Sequence, residues 1–515
     1  MPSLIDLLTL SLVLLQSSLV AGGVVPRYFQ SAPFTRRDLS AAKVQQELGV
    51  LISNGSTILG PDDARFANAT ERYSTYAVPR IEVVVVPVEE GDVSMIVEYC
   101  NENSIEFLAV NRAHARTYTV GAFAGLMIDL GQLLHIEIQP DGKSAWFQGG
   151  TYDGQVKDYL WEQGYVATTG SCDCVGMMGP GLGGGHGRHE GLYGLISDNL
   201  VNLNVVLSNG TAVRVHETSH ADLFWGMKGA GHNFGIVTSF QLRIYPRGPD
   251  TWHWHNYVWT GDKLERLFDE ANKLHGDGDT PVNLALSYSS FTLNRTIRED
   301  EAVIFWSFAY RGPAEEAERI LAPFNQIEAA YEESGDVPYP DISTVQITSI
   351  DSPTCAKNNS WVLSTAGLKA FNVTAMRQIY DLHNANIRQY PELASGASAS
   401  HDSYSNAGIR RFKSEDSAFP FRHYNHLTSF GVVVPPGSDS ALTAAARKWA
   451  DDVRDLWNGG QPHVAPSNYV NYATGLEPLS SIYGYEEWRL QRLVDLKHTY
   501  DPQNRFRFYN PIIRA

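Results

Sequence analysis

Residues 170–194 read GSCDCVGMMGPGLGGGHGRHEGLYG, the densest glycine stretch of the 515-residue chain. Glycine used this heavily surrenders backbone entropy, of order 0.5–1 kcal/mol per residue relative to alanine, so something must compensate. The usual compensation is main chain brought against a flat or phosphorylated ligand, with N–H groups that donate to it. A flexible linker is the other use, but Val175, Met177, Met178, Leu182, Leu192 and Leu195 are too apolar for one. There is no G-x-x-x-x-G-K-[ST], and Gly181-x-Gly183-x-x-His186 misses the dinucleotide spacing. Cys172, Cys174, His186 and His189 offer metal-binding atoms, yet C-x-C is tighter than closed zinc sites use, so no metal is expected.

On the N-terminal side, Ile81–Pro87 (IEVVVVP) is a β-branched strand, Ser94–Asn103 has helical spacing, and Ile105–Val110 reads as a second strand. Strand, helix, strand implies an α/β unit. Gly125–Leu130, Ile136–Ile138 and Ala145–Gln148 follow as strands and Gln155–Gln163 as a short helix. On the C-terminal side, Val201–Leu207, Ser208-Asn209-Gly210 and Ala212–Val215 make a hairpin. Ala221–Met227 is a helix and Gly235–Tyr245 a long strand. Beyond Pro246 the texture changes to strands near Trp252–Tyr257, Leu284–Phe291 and Val303–Ala309, with helices at Ala314–Ile320, Ala375–Arg388, Ser440–Trp457 and Tyr485–His498. That alternation predicts an antiparallel sheet backed by helices, a second domain in an α+β chain.

A formal net charge of -17 with no basic stripe argues against nucleic-acid binding. Leu4–Val20 is largely apolar and is followed by Ala21, Gly22 and Gly23, the pattern of a signal peptide over residues 1–22. The mature chain is expected to be secreted, or held in the lumen of the secretory pathway, with no membrane segment once the leader is cut. N-x-[ST] sequons at Asn54, Asn68, Asn209, Asn294, Asn358 and Asn372 suit such a route as glycosylation acceptors. Four cysteines make no disulfide framework; Cys100 and Cys355 stand alone and either pair or are simply buried.

Cys172 to Asn199 resembles the flavin segment of the vanillyl-alcohol-oxidase (PCMH-type FAD-binding) superfamily, and within it the berberine-bridge-enzyme-like group. The matching positions are Gly170, Cys172, Val175, Gly176, Gly179, Gly183, Gly184, Gly185, Gly187, Gly194, Leu195 and Asp198. Met178 stands where a glycine is usual. Val110–Leu130 resembles the group's pyrophosphate loop, Asp222–Thr238 its closing helix and strand, and Tyr469–Phe506 its tail. The resemblance implies an FAD-binding domain of two subdomains over residues 76–247, preceded by a packing segment (23–75). A substrate domain (248–465) and a tail returning to the FAD domain (466–515) would follow.

By the same resemblance, FAD is held by Arg112, Ala113, His114, Cys172, Val175, Gly176, Gly179, Gly183, Gly184, Gly185, Gly187, Gly194 and Val237, with covalent bonds from His114 and Cys172. Imidazole and thiolate are nucleophiles that can add to an electron-poor ring. The group's usual S-G-G-H loop is Asn111-Arg112-Ala113-His114 here. Ala113 resists positive φ, so the turn is expected to be built differently or the histidine displaced. Small Val175, at what resembles the oxygen-access position, goes with oxidases. The implied reaction is hydride transfer from a small organic alcohol or amine to flavin, with O₂ as acceptor and H₂O₂ as product. Tyr424, Tyr469 and Asn471 are the catalytic candidates, with His423 and His426 near Tyr424 in the chain. Arg411 stands where some relatives carry a catalytic glutamate. An oligosaccharide oxidase and a catalytically silent flavin-containing binding protein are the alternatives. The oligomeric state stays open.

Overall fold

The structure, a computed structural model, describes residues 38–514; the leader reading falls outside them. Its strands fall into four sheets. The first holds β1 (Thr57–Leu59), β2 (Arg80–Val86), β3 (Phe107–Val110) and β4 (Ala124–Asp129) in the order β1-β2-β4-β3. β2 and β3 both run parallel to β4, and helix Glu90–Glu102 makes the crossover between them. The helix starts four residues earlier than its apolar spacing suggested, because Glu89 and Asp92 form a capping box. Val93, Ile96, Val97 and Cys100 lie on its buried face, against the Val83, Val85, Leu126 and Ile128 side of the sheet.

The second sheet is antiparallel, in the order β5-β6-β10-β8-β9. It comprises β5 (Ile136–Ile138), β6 (Ser144–Gln148), β8 (Leu200–Val206), β9 (Ala212–Val215) and β10 (Ile236–Arg243). The β8–β9 hairpin turns at Ser208-Asn209-Gly210 as expected, with Gly210 at φ 91°. A two-residue pair, β7 (Tyr165–Val166) with β11 (Tyr245–Pro246), closes this half.

The third large sheet is antiparallel throughout, in the order β15-β12-β14-β13-β17-β18-β16. Its strands are β12 (Trp252–Trp259), β13 (Leu284–Leu293), β14 (Ala302–Tyr310), β15 (Tyr331–Val337), β16 (Trp361–Leu368), β17 (Ala397–Ser403) and β18 (His426–Val433). Three of the seven match runs read from the sequence; β15 to β18 did not stand out. One face carries helices Leu264–His275, Ala314–Asn325, Val373–Gln389 and Ser440–Gly459 over a core that includes Trp259, Trp306, Phe324, Trp449 and Trp457. The other face, with Trp252, Ala285, Leu286 and Tyr288, packs into the core built around the glycine-rich segment. Tyr469, Val470, Ala473, Tyr483 and Leu496 from the C-terminal residues join that same core. The glycine-rich segment is thereby held between the second sheet, the tail and the open face of the third.

Candidate functional site

The segment 170–194 is fixed by partners that explain many of its glycines. A Cβ on Gly183 would lie 2.4 Å from Asn471 Oδ1, and one on Gly187 would lie 1.7 Å from the Thr169 carbonyl. Gly184, Gly185 and Gly194 adopt φ values of 107°, 85° and 80°, which disfavour a side chain. The Tyr469 hydroxyl accepts hydrogen bonds from the N–H groups of Gly185 (3.1 Å) and His186 (3.3 Å), and from Asn471 Nδ2 (2.7 Å). Glu190 takes the N–H of Gly187 (2.8 Å) and faces His186 Nδ1 at 3.0 Å. The later part of the loop therefore spends its amides on the protein itself. By contrast, a Cβ on Gly179 would meet nothing within 4 Å. Asp198 closes the segment, accepting from Leu195 N–H and pairing with buried Arg422 at 2.8 and 3.0 Å.

The loop after β3 reaches the same place. Asn111 Nδ2 donates to the carbonyls of Gly149 (3.1 Å) and Thr151 (2.9 Å), and a Cβ on Gly176 would collide with it at 2.5 Å. Arg112 Nε donates to the Cys174 carbonyl, and its guanidinium lies over the Tyr152 ring. Ala113 sits at φ 53°. The turn thus keeps a left-handed residue without a glycine, at a cost of about 1–2 kcal/mol, instead of being rebuilt. His114 follows it and stacks on Tyr73 with ring centroids 4.0 Å apart. Burial, reinforced by Arg116, pushes its pKa down to about 3, so the ring is neutral with a free lone pair. Val237, on β10, is buried behind Gly149.

Cys172 is free and half-buried, while Cys174 is bonded to Cys355. This decides between the alternatives that the sequence left open for Cys100 and Cys355. Cys100 does not pair with Cys355 but is buried under the first sheet, and Cys355 pairs instead with Cys174, which leaves Cys172 as the free thiol of the C-x-C. Burial pushes the Cys172 thiol up to about 12, opposed by Arg188 and helped by Asp402, Asp153 and Asp173. The unattached side chain is therefore held as a thiol, so a bond from its sulfur to a ring would need a base to take the proton.

Around Cys172 the third sheet contributes polar groups. The Tyr472 hydroxyl donates to Asp402 Oδ2 at 3.0 Å, and Arg116 lies over the Tyr472 ring at 4.6 Å while bonding Ser429. Tyr404 and Ser171 hydroxyls are 3.0 Å apart, and Tyr288 bonds Ser400. Burial raises the Asp402 carboxyl to about 6 despite the Tyr472 bond, and drives the Tyr472 phenol well above its ordinary range. Tyr472, Asp402, Arg116 and Tyr73 were not among the sequence candidates. Tyr472 directly follows the candidates Tyr469 and Asn471 in the chain, but nothing in the strand sequence SHDS marks Asp402. Tyr469 and Asn471 belong to this cluster, where they clasp the loop. Tyr424 does not: its hydroxyl donates to the Ala465 carbonyl and its ring lies beside Gly367. His426 is buried against Phe371, His423 is exposed, and Arg411 is an exposed side chain holding the Leu192 carbonyl. Of the sequons, Asn54, Asn68, Asn209, Asn358 and Asn372 are exposed and Asn294 is half-buried.

The unpartnered polar atoms, one acceptor among them, suit a flavin dinucleotide. Asn111 Oδ1, Arg116 Nε and His186 Nε2 are buried polar atoms with no partner among the described residues, and they ring the segment near His114 and Cys172. Comparison with known proteins agrees. Residues 81–216 match the family described as FAD binding domain. The FAD-linked oxidoreductase anuG of Penicillium roqueforti is 51% identical over 479 residues, covering 93% of this chain and 94% of that one. Among solved structures, Physcomitrella patens BBE-like 1 superposes with a TM-score of 0.78 at 18% identity, over 92% of this chain and 99% of that one. Glucooligosaccharide oxidase from Acremonium strictum, whose FAD is described as 6-S-cysteinyl and 8α-N1-histidyl, gives 0.75 at 17% identity, over 90% and 97%. This chain belongs to the family of FAD-linked oxidoreductases and shares its fold with Physcomitrella patens BBE-like 1.

Proposed function

We propose that the protein is a secreted oxidase of a small, ring-bearing alcohol or amine of the secondary-metabolite kind. FAD would be bonded to His114 and Cys172, O₂ would be the electron acceptor and H₂O₂ the co-product. The observation that carries this reading is the Tyr472–Asp402 pair, under the Arg116 cation and within electrostatic reach of Cys172. FAD, when bound, supplies a two-electron acceptor for hydride.

The chain's own residues handle the proton. Tyr472 cannot become a phenolate alone near neutral pH, since its pKa lies well above the ordinary value. Asp402, at about 6, is ionised there and accepts the phenol's hydrogen bond. A substrate hydroxyl set against Tyr472 gives its proton to the phenol oxygen while the phenol's proton passes to Asp402. Arg116 stabilises the negative charge that develops between them. His114, neutral and stacked on Tyr73, has the lone pair a bond to the ring system needs. Tyr73, Tyr288, Tyr404 and Tyr472 offer flat faces with hydroxyl edges, which suit an aromatic substrate. The Cys174–Cys355 disulfide and the exposed sequons support an oxidising, secretory route.

Peroxide release from the purified flavoprotein, across a panel of ring-bearing alcohols, amines and reducing sugars, tests the reading. Turnover of a ring-bearing alcohol or amine is expected. Turnover of sugars alone would favour an oligosaccharide oxidase, the class named for the Acremonium strictum neighbour. Silence across the panel with flavin bound would overturn the oxidase assignment.

A further inference from the structure

On the helix-covered face of the third sheet, away from Cys172, two histidines and a carboxylate converge. β12 reads WHWHNYVW from Trp252, so the pleat puts His253, His255, Tyr257 and Trp259 on one side. Helix Ala314–Asn325 lays Glu318 across that side. His253 Nε2 is 2.7 Å and His255 Nδ1 2.8 Å from the same oxygen, Glu318 Oε1. Both imidazoles are buried, while Glu318 keeps about a third of its side chain in contact with solvent (30%).

Hydrogen bonding alone leaves this cluster awkward. His253 faces a carboxylate with each ring nitrogen, Glu318 at Nε2 and Asp336 of β15 at Nδ1, both at 2.7 Å. A neutral imidazole has one N–H, so serving both carboxylates needs a second positive charge here, a proton on the ring or a metal ion at Nε2, and the convergence of His255 Nδ1 on the same Glu318 oxygen favours the shared ion. A cation among His253 Nε2, His255 Nδ1 and Glu318 Oε1 removes the conflict, because Nδ1–H then donates to Asp336. That is the carboxylate–histidine–metal pattern that orients ligands in metal sites. Further support is in place: Asn325 Nδ2 donates to Glu318 Oε2 at 2.7 Å, and Glu332 of β15 lies 3.7 Å from His255 Nε2. The Tyr257 hydroxyl, 2.8 Å from His255 Nδ1, donates to Asn325 and closes the cluster on the helix side.

We propose that His253, His255 and Glu318 bind one zinc ion, with water in the fourth position. Two imidazoles and a carboxylate are a zinc donor set, and metal distances near 2.0–2.2 Å require ligand atoms roughly 3.3 Å apart. The three ligand atoms lie within 4.8 Å of one another, and the two histidine–carboxylate separations need to open by about half an ångström, within reach of a Glu318 side chain on an outer helix. The ion would pin edge strand β15 and helix Ala314–Asn325 to β12. It takes no part in the redox chemistry, which lies on the opposite face.

The test uses the full-length, tag-free flavoprotein, stripped with a chelator, dialysed against zinc chloride, desalted and assayed for metal by mass spectrometry. One zinc per chain is expected in the wild type, lost in His255→Gln and in Glu318→Gln with the flavin absorbance unchanged. Asp336→Asn, a change at a partly exposed partner, should weaken zinc binding by roughly 10–100-fold. It also supplies the readout if the histidine variant fails to fold. Zinc should raise the melting temperature of the stripped protein and magnesium should not. No retained zinc, retention of copper alone, or undiminished zinc in His255→Gln or Asp336→Asn would overturn the proposal.

Discussion

Asp402→Asn exposes the proton path most directly. In the folded chain the Asp402 carboxyl titrates near 6, above its ordinary 3.8, because burial outweighs the Tyr472 hydrogen bond. A raised carboxylate pKa means the charged form is disfavoured by the fold and present only above about pH 6. The relay needs that form, so turnover should fall as pH drops through about 6 and level off above it. Asparagine keeps the shape and a hydrogen-bond acceptor for Tyr472 but cannot take a proton. A positioned base is worth about 10²–10⁴ in rate, or about 2.7–5.4 kcal/mol of barrier. We therefore expect kcat on the best substrate from the peroxide panel to fall by about that factor, with the acid limb near pH 6 gone. Replacing a disfavoured charge by a neutral isostere does not weaken the fold, so flavin content and melting temperature should hold. An Asp402→Asn enzyme with more than about a tenth of wild-type kcat, or with the acid limb intact, would refute the relay.

Other consequences are checked more simply. Arg422→Met leaves Asp198 buried without its partner, so equilibrium unfolding should show a loss of about 3–5 kcal/mol; a loss below about 1 kcal/mol would deny the pair its role in closing the flavin segment. Gly187→Ala forces a Cβ to within 1.7 Å of a backbone carbonyl. It should cost at least about 1–3 kcal/mol and lower the flavin absorbance per chain. Replacing Cys174 and Cys355 together by serine frees a loop spanning 181 positions. Chain entropy sets an upper figure of roughly 5 kcal/mol, so the calorimetric melting midpoint should drop by several degrees, and an unchanged midpoint would contradict the link.

The flavin half was legible because its signals are local. A β-branched run, an amphipathic helix and an Asn-Gly turn each fix their own neighbourhood, and β2, helix Glu90–Glu102 and the β8–β9 hairpin form where those signals lie. The third sheet was legible only in part. β15 (YEESGDV) is an acidic edge strand with no buried residue, and β17 (ASASHDS) is an interior strand of small polar residues; neither has the β-branched richness that marks a strand. Both are strands because β12, β13 and β18 offer them a ladder. The site follows the same division. Glycine spacing pointed to the segment, and Ala113 was recognised as ill-suited to its turn, though the fold accepts the strain. Asp402 and Arg116 reach Tyr472 only through sheet pairing and loop packing, so neither chain spacing nor residue type could single them out. The Cys174–Cys355 link, across 181 positions, was hidden for the same reason.

His114 and Cys172 are the two proposed anchors of bound FAD. Acid precipitation of the purified protein tests this, followed by inspection of the pellet for flavin colour in wild type, His114→Ala, Cys172→Ala and the double variant. Two bonds give yellow pellets for wild type and each single variant and a white pellet for the double. A white wild-type pellet, or a yellow one from the double variant, would contradict this.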